Sequence, residues 1–508
     1  MTSRVHLLAF VPLVPLMAGM ACNAPLRAIG LQRQATAAAV GSTIEAYSTQ
    51  PLNSPTTPTP LSTASASTAT PDFSPPGPFF DYVTQPGDTW EGLSGRFGIG
   101  SDLIPFSQSI LRTGLLEPGI TLRIANGLGE VSPGVALLPD HEVVYSPAAA
   151  DFDVPSYVQT AGGFLASYRE EIDDEVLSGP EIVQRVAEEL SINPSLLLGL
   201  LEYRSGWVFG SPAGASDDPY PLDLRIPGRP GLYQELTVAG TQLNRGYYGW
   251  REGTQVEATF EDGSTLRFHP GLNPGSVALM HLLAILRPRE RWMESLYGAG
   301  SFPTLYASWF GDPWARARAV GPLIPPDLVQ PPLELPFATG ERWSLTGGPH
   351  PGWNAGTPRG ALDFSPITSE DPCAVSVRWV TASAAGTVVR AADNALALDL
   401  DGDGREATGW VVVYYHLADE GLIPEGAQVV LGTRLGHPSC EGGRATGKHV
   451  HIARKYNGEW LEADGPVPMV LSGWQVVADD RSYYGSLVKG GEVVRSDSSG
   501  RSGSTIVH

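Results

Sequence analysis

Ten histidines are spread over 508 residues, and five of them fall between positions 350 and 451: His350, His416, His437, His449 and His451. His449 and His451 flank a single valine in ATGKHVHIARKY (445–456), a stretch that reads as a β-strand. Side chains alternate on a strand, so both imidazoles turn to one face and Val450 to the other. Asp363 sits in an apolar setting, Ala361-Leu362-Asp363-Phe364, at the far end of a Gly/Pro-rich loop that begins at His350. A carboxylate embedded in this way needs a partner, and a metal ion shared with neutral imidazoles is a good one. His350, Asp363 and one histidine of the pair supply three protein ligands and leave a fourth position open, the pattern of catalytic rather than structural zinc. The other reading of the same residues is a set of buried, hydrogen-bonded histidines without metal. His416 ends VVVYYHL, where strand alternation puts it on the face of Tyr414 and Val412. His437 matches no such position and reads as local packing.

The elements that must position these groups are alternating apolar stretches punctuated by Gly and Pro: VSVRWVTA, GTVVRAA, ALALDL, GWVVVYYHL and KHVHIARKY. That pattern gives an antiparallel β domain over about 338–480. His350 and Asp363 with twelve intervening residues, YYHL between, and Thr-Gly-x-His-x-His downstream together resemble the lysostaphin and β-lytic (LytM-type) zinc metalloendopeptidase family. The resemblance implies zinc held by His350, Asp363 and His451, with His449 and His416 as catalytic histidines. Zinc lowers the pKa of a bound water and polarises the scissile carbonyl. A neighbouring imidazole then takes or orients the water's proton, and a second steadies the oxyanion.

Upstream, residues 1–22 have a signal-peptide layout: Arg4, an apolar run, and Gly19-Met20-Ala21-Cys22, which resembles a bacterial lipobox. Lipidation of Cys22 would anchor the chain to a membrane and leave Cys373 and Cys440 as an even pair, for which export permits a disulfide; two buried thiols are the alternative. Residues 23–78 are rich in Ser, Thr and Pro and cannot bury a core, so they read as an extended tether. Residues 79–126 carry PGDTW and LEPGITLRI in a β-α-α-β order that resembles the LysM module, implying binding of N-acetylglucosamine glycans such as peptidoglycan through the Gly87, Asp88, Thr89 turn. Ser107 stands near the place where that family has Asn.

Residues 150–321 read as mostly helical. Ser178 and Glu181 stand at capping-box spacing, and Ile182, Val183, Val186, Ala187 and Leu190 form an apolar stripe. INPSLLLGLLEYRSGWV resembles the lytic transglycosylase pattern, with Arg204 where the catalytic acid should precede Ser205. Glu202, about 200° away round the helix, cannot substitute. This block is expected to be lysozyme-like and without glycosidase activity, with Tyr247, Tyr248 and Trp250 either contacting glycan or forming core. PLIPPDLVQPPLELPF (322–337) reads as a Pro-rich linker, and 481–508 as a polar, frayed tail. Asp399, Asp401 and Asp403 have calcium-loop spacing, but Trp410 replaces the closing Glu, so an acidic hairpin tip fits better than a calcium site.

The fold class expected is therefore multi-domain α+β. With a net charge of −21 the chain has no basic surface for nucleic acid. The function expected is an exported, lipid-anchored zinc endopeptidase that hydrolyses peptide cross-links of peptidoglycan. The competing readings are a non-catalytic wall-binding scaffold and a bacteriolytic or elastin-type protease.

Overall fold

The computed structural model describes residues 78–100, 114–217, 219–225 and 228–508. The leader with Cys22, the tether up to residue 77, Ser107 and the second helix expected after Gly100 lie outside the described residues. Phe79–Val83 (β1) pairs antiparallel with Thr121–Ala125 (β2), and Trp90–Phe97 (α1) buries Trp90, Leu93 and Phe97 against them. Thr89 caps α1, its hydroxyl accepting the Gly92 amide at 3.0 Å. Asp88 turns inward instead, where Arg96 (2.7 Å) and the Tyr82 hydroxyl (2.6 Å) hold it.

Helices dominate the next part: Gly179–Leu190 (α2), Pro194–Ser205 (α3), Leu232–Glu252 (α4) and Pro274–Leu286 (α5), with shorter helices and two small hairpins. Proline opens the first turn of α3 and α5, where its missing N–H costs nothing. The stripe read from the sequence of α2 is fully buried, and Glu181 accepts the Ser178 amide at 2.7 Å as the capping spacing requires. Arg204 pairs with Asp223, and the Glu202 carboxylate accepts the amides of Val208 and Phe209, so both are engaged in shaping the end of α3.

The third part is a nine-stranded antiparallel sheet. Its strands are Arg342–His350 (β3), Ala361–Pro366 (β4), Gly386–Ala392 (β5), Ala395–Asp399 (β6), Trp410–Tyr415 (β7), Gln428–Val429 (β8), Val450–Tyr456 (β9), Glu459–Trp460 (β10) and Thr505–Val507 (β11, the last in the chain). The spatial order is β8-β5-β6-β7-β9-β4-β3-β11, with β10 beside β9. Strand alternation splits its side chains cleanly. Leu362, Phe364, Val412, Tyr414, Val450 and Ile452 build a core on one face. Ala361, Val411, Val413 and Ala453, on the face of Asp363 and His451, join the core of the helical part. The helical part therefore packs on the sheet face that carries the candidate site. Asn354, in the β3–β4 loop, donates to Thr241 of α4 at 2.8 Å, and the Tyr248 hydroxyl accepts the Trp460 amide at 3.0 Å.

Two boundary expectations are corrected. Residues 322–337 are no free spacer: Leu323 and Ile324 are buried in one core, and Leu333, Leu335 and Phe337 in the other. Residues 481–508 are not frayed. Gly485–Lys489 and Glu492–Arg495 form a hairpin, and β11 completes the sheet edge on Arg342, Trp343 and Ser344. The alternation in SLVKGGEVVR, with Gly490 and Gly491 at positive φ in the turn, was the hairpin signal.

Cys373 and Cys440 are disulfide-bonded, closing a separation of 67 residues. Arg251, near the end of α4, links all three parts. Its guanidinium reaches the Pro86 carbonyl (2.8 Å), Asp140 (3.4 Å) and buried Glu459 (2.6 Å). Arg251→Ala leaves Glu459 buried and unpaired, so the full chain should lose roughly 3–5 kcal/mol of stability in urea unfolding; a loss below about 1 kcal/mol would contradict the linking role. Thiol titration of denatured, unreduced protein should find Cys373 and Cys440 unreactive, and reduction should destabilise the sheet part by about 4 kcal/mol.

Candidate metal centre

Asp363 on β4 and His451 on β9 are direct cross-strand partners, so their side chains emerge side by side on one face. Gly347 of β3 lies opposite Asp363, and a Cβ there would collide with its carboxylate. Register shifts on β3, between Leu345 and Gly347 and again before His350, bring His350 to the same cluster. The three residues are buried, with potential ligand atoms within 4.8 Å of one another.

Backbone carbonyls fix the tautomers, because a carbonyl only accepts. His350 Nδ1 donates to the Gly348 carbonyl (2.8 Å) and His451 Nε2 to the Gly352 carbonyl (2.9 Å). The nitrogens left bare, His350 Nε2 and His451 Nδ1, face each other at 3.0 Å. Asp363 Oδ1 lies 3.2 Å from the first and 3.5 Å from the second, and no hydrogen bond satisfies it. Lone pairs converging in this way are repulsive unless a proton or a metal ion sits among them. The donor set, two imidazole nitrogens and a carboxylate oxygen, is that of a zinc site with an open position, so the residues fit the metal. Each imidazole's backbone hydrogen bond is the outer support such ligands need.

The electrostatics follow the same geometry. Burial alone would raise the Asp363 pKa, but the surrounding histidines hold it well below the usual carboxylate range. Burial would lower His350, yet the adjacent Asp363 charge keeps it above its ordinary value. Burial wins at His451, which is lowered.

His449 points to the same side, its Nε2 3.7 Å from Asp363 Oδ1, while its Nδ1 donates to the Gly447 carbonyl at 2.7 Å. His416 departs from the alternation expected of it. β7 ends at Tyr415, and His416 takes a left-handed φ of 63° that swings its ring away from the core face of Tyr414. Its ring centre then lies 4.4 Å from that of His449, and its Nδ1 donates to the Glu441 carbonyl at 3.0 Å. Burial, then His449 and His451, push its pKa down to about 3. Neutral His416 thus carries its proton on Nδ1 and offers a bare Nε2, which accepts rather than donates in the resting state.

His437 packs tilted against Trp379, ring centres 3.7 Å apart, the packing role read for it. Tyr483 was missed, because it falls in the stretch read as a tail. Its ring stacks on His350 at 4.3 Å, and reciprocal backbone hydrogen bonds to Gly348 and Pro349 lock it at a φ of 72°. Tyr247 and Trp250, considered as sugar contacts, are wholly buried, with Trp250 Nε1 bonded to the Leu272 carbonyl, so neither presents a face to glycan. Of the turn expected to bind glycan, Asp88 is consumed by Arg96, and Gly87 packs against Arg251. Asp399, Asp401 and Asp403 cluster at the β6–β7 tip, where the Asp399 carboxylate accepts the amides of Asp401, Gly402 and Gly404.

Residues 136–325 match the family model for the N-terminal domain of LasA, which covers the segment read above as lysozyme-like. Protease LasA of Pseudomonas aeruginosa (strain UCBPP-PA14) is 29% identical over 367 residues, 66% of this chain and 78% of that protein. The beta-lytic metalloendopeptidase of Lysobacter enzymogenes is 31% identical over 159 residues, 30% of this chain and 82% of that protein. Among solved structures, the M23 metalloprotease pseudoalterin from the deep sea is 23% identical, covering 34% of this chain and 96% of its own, with a TM-score of 0.28. The relationship to the Lysobacter enzyme thus meets a site whose donor set suits zinc: the chain belongs to the β-lytic metalloendopeptidase family and is a zinc metalloendopeptidase.

Proposed function

We propose that His350, Asp363 and His451 hold the zinc, that His449 and His416 move the proton, and that the bond hydrolysed is a peptide cross-link of peptidoglycan. The observation that carries the reading is the convergence of three bare donor atoms beside two further imidazoles whose outer nitrogens are also bare. Zinc bound there would supply Lewis acidity, bringing the pKa of a water toward about 7 and polarising a carbonyl.

The chain's own groups do the rest. His449 Nε2 accepts the proton of the attacking water, with Nδ1 anchored on the Gly447 carbonyl so that the ring keeps its aim. His416 Nε2 begins as a second acceptor that orients this water. Once the proton reaches it, the same nitrogen becomes a donor, able to steady oxyanion charge or to protonate the leaving amine. Tyr483 covers His350 and shields that imidazole from water. Burial and the Asp363 charge raise its own pKa, so its hydroxyl stays protonated across the neutral range.

Support for a wall substrate comes from the relative named beta-lytic and from the strand–helix–strand order of the 79–126 module, whose PGDTW turn is itself engaged by Arg96 and Arg251. Export through the leader and anchoring at Cys22 would place the enzyme at the wall. Tethering would raise its effective concentration on substrate. A non-catalytic scaffold is disfavoured because all five positions of the site are filled.

Purified full-length protein should hold about one zinc per chain. His451→Ala should lose metal and activity together. His449→Ala should keep most of its metal while activity falls by about 10²–10⁴-fold. Equal metal loss in both variants would refute the division of roles. Mass spectrometry of muropeptides should find new amino termini that a chelator abolishes; intact cross-links on every wall type would overturn the substrate.

A further inference from the structure

A cavity of about 710 Å³ opens where the 79–126 module, the end of α4 and the segment after β10 meet. Its wall is rich in carboxylates. Glu91 comes from α1, Glu252 from α4, and Glu459, Glu462 and Asp464 from β10 and the segment beyond it. Two cations face them: Arg251, committed to Glu459 at 2.6 Å, and Arg359 of the β3–β4 loop, which donates to the Asp479 carbonyl at 2.7 Å. Tyr248 also lines the wall, buried and protonated, its pKa raised well above the ordinary value. Glu252 and Glu462 are left half-buried, with one shared cation in Arg359.

We propose that this cavity is a proton-operated latch. With Glu252 and Glu462 protonated, the module and the end of α4 stay seated on the 459–467 segment of the sheet part; with both ionised, that contact loosens.

The packing explains the direction. Burial first, and then the Glu462 charge, push Glu252 up to about 7. Burial, Asp464 and Glu91 raise Glu462, against the pull of Arg359. Because the closed state binds these protons more tightly than the open state, the contact is firmest below the ordinary glutamate range. It weakens as the pH rises toward about 7 and levels off above that. Arg251 holds the same junction through Glu459, whose carboxyl pKa burial raises and the Arg251 charge lowers. The latch thus tunes a junction that Arg251 holds.

Hydrogen exchange with mass spectrometry on the full chain tests this, comparing the wild type with Glu252→Gln and Glu462→Gln at one pH at a time so that intrinsic exchange cancels. At about pH 8 the wild type should exchange roughly tenfold or more faster than either variant over 86–92 and 462–467. At about pH 5 the three proteins should coincide there. Strand β3 should exchange alike in all of them, which marks any variant that has misfolded; either glutamine variant alone is then enough. Wild type and a folded variant exchanging alike at about pH 8 would overturn the latch.

Discussion

Three lone pairs point at one spot. His350 Nε2, His451 Nδ1 and Asp363 Oδ1 each have their other valences used or turned away, and each lies within 3.5 Å of the other two. Removed from water, that arrangement is unfavourable without a cation at its centre. The surrounding architecture is what holds it in place. Cross-strand pairing fixes Asp363 against His451, the bulged β3 delivers His350, and carbonyls at Gly348 and Gly352 prevent the rings from turning. The site is thus organised by backbone geometry.

The same sheet face has two tenants. Near the ends of β4, β7 and β9 it carries the histidines and Asp363, and along the rest of those strands it packs on the helical part. The β3–β4 loop belongs to both, since Gly352 supports His451 while Asn354 bonds to α4. A change in how the helical part is seated would therefore be felt at a loop that touches a candidate ligand. The disulfide acts from the other side, joining the segment after Asp363 to the segment before the His449–His451 strand.

Much of the site was legible because strand periodicity is strict. Placing His449 and His451 on one face, and Asp363 in need of a partner, required only alternation and the cost of burying charge. What escaped depends on departures from regularity. His416 reaches the site by leaving its strand in a left-handed turn, which alternation alone assigns to the opposite face. Tyr483 lies beyond a break in the apolar pattern, where polar composition concealed a hairpin and a final strand. In the helical part the 3.6-residue stripe identified α2 correctly, but the aromatics of α4 offered no means of telling a sugar surface from a core until packing enclosed Tyr247 and Trp250. The Pro-rich stretch misled similarly: composition suggested a spacer, while its few leucines and one phenylalanine are what the cores bury.

The cation wanted by this cluster is, in our proposal, zinc held by these three atoms. Anomalous scattering at the zinc edge from crystals of the full chain tests it most directly. One strong peak is expected, bonded to His350 Nε2, His451 Nδ1 and an Asp363 oxygen, with His449 and His416 outside bonding distance. A peak ligated by His449 or His416, or zinc found only at the Asp399, Asp401 and Asp403 tip, would contradict it.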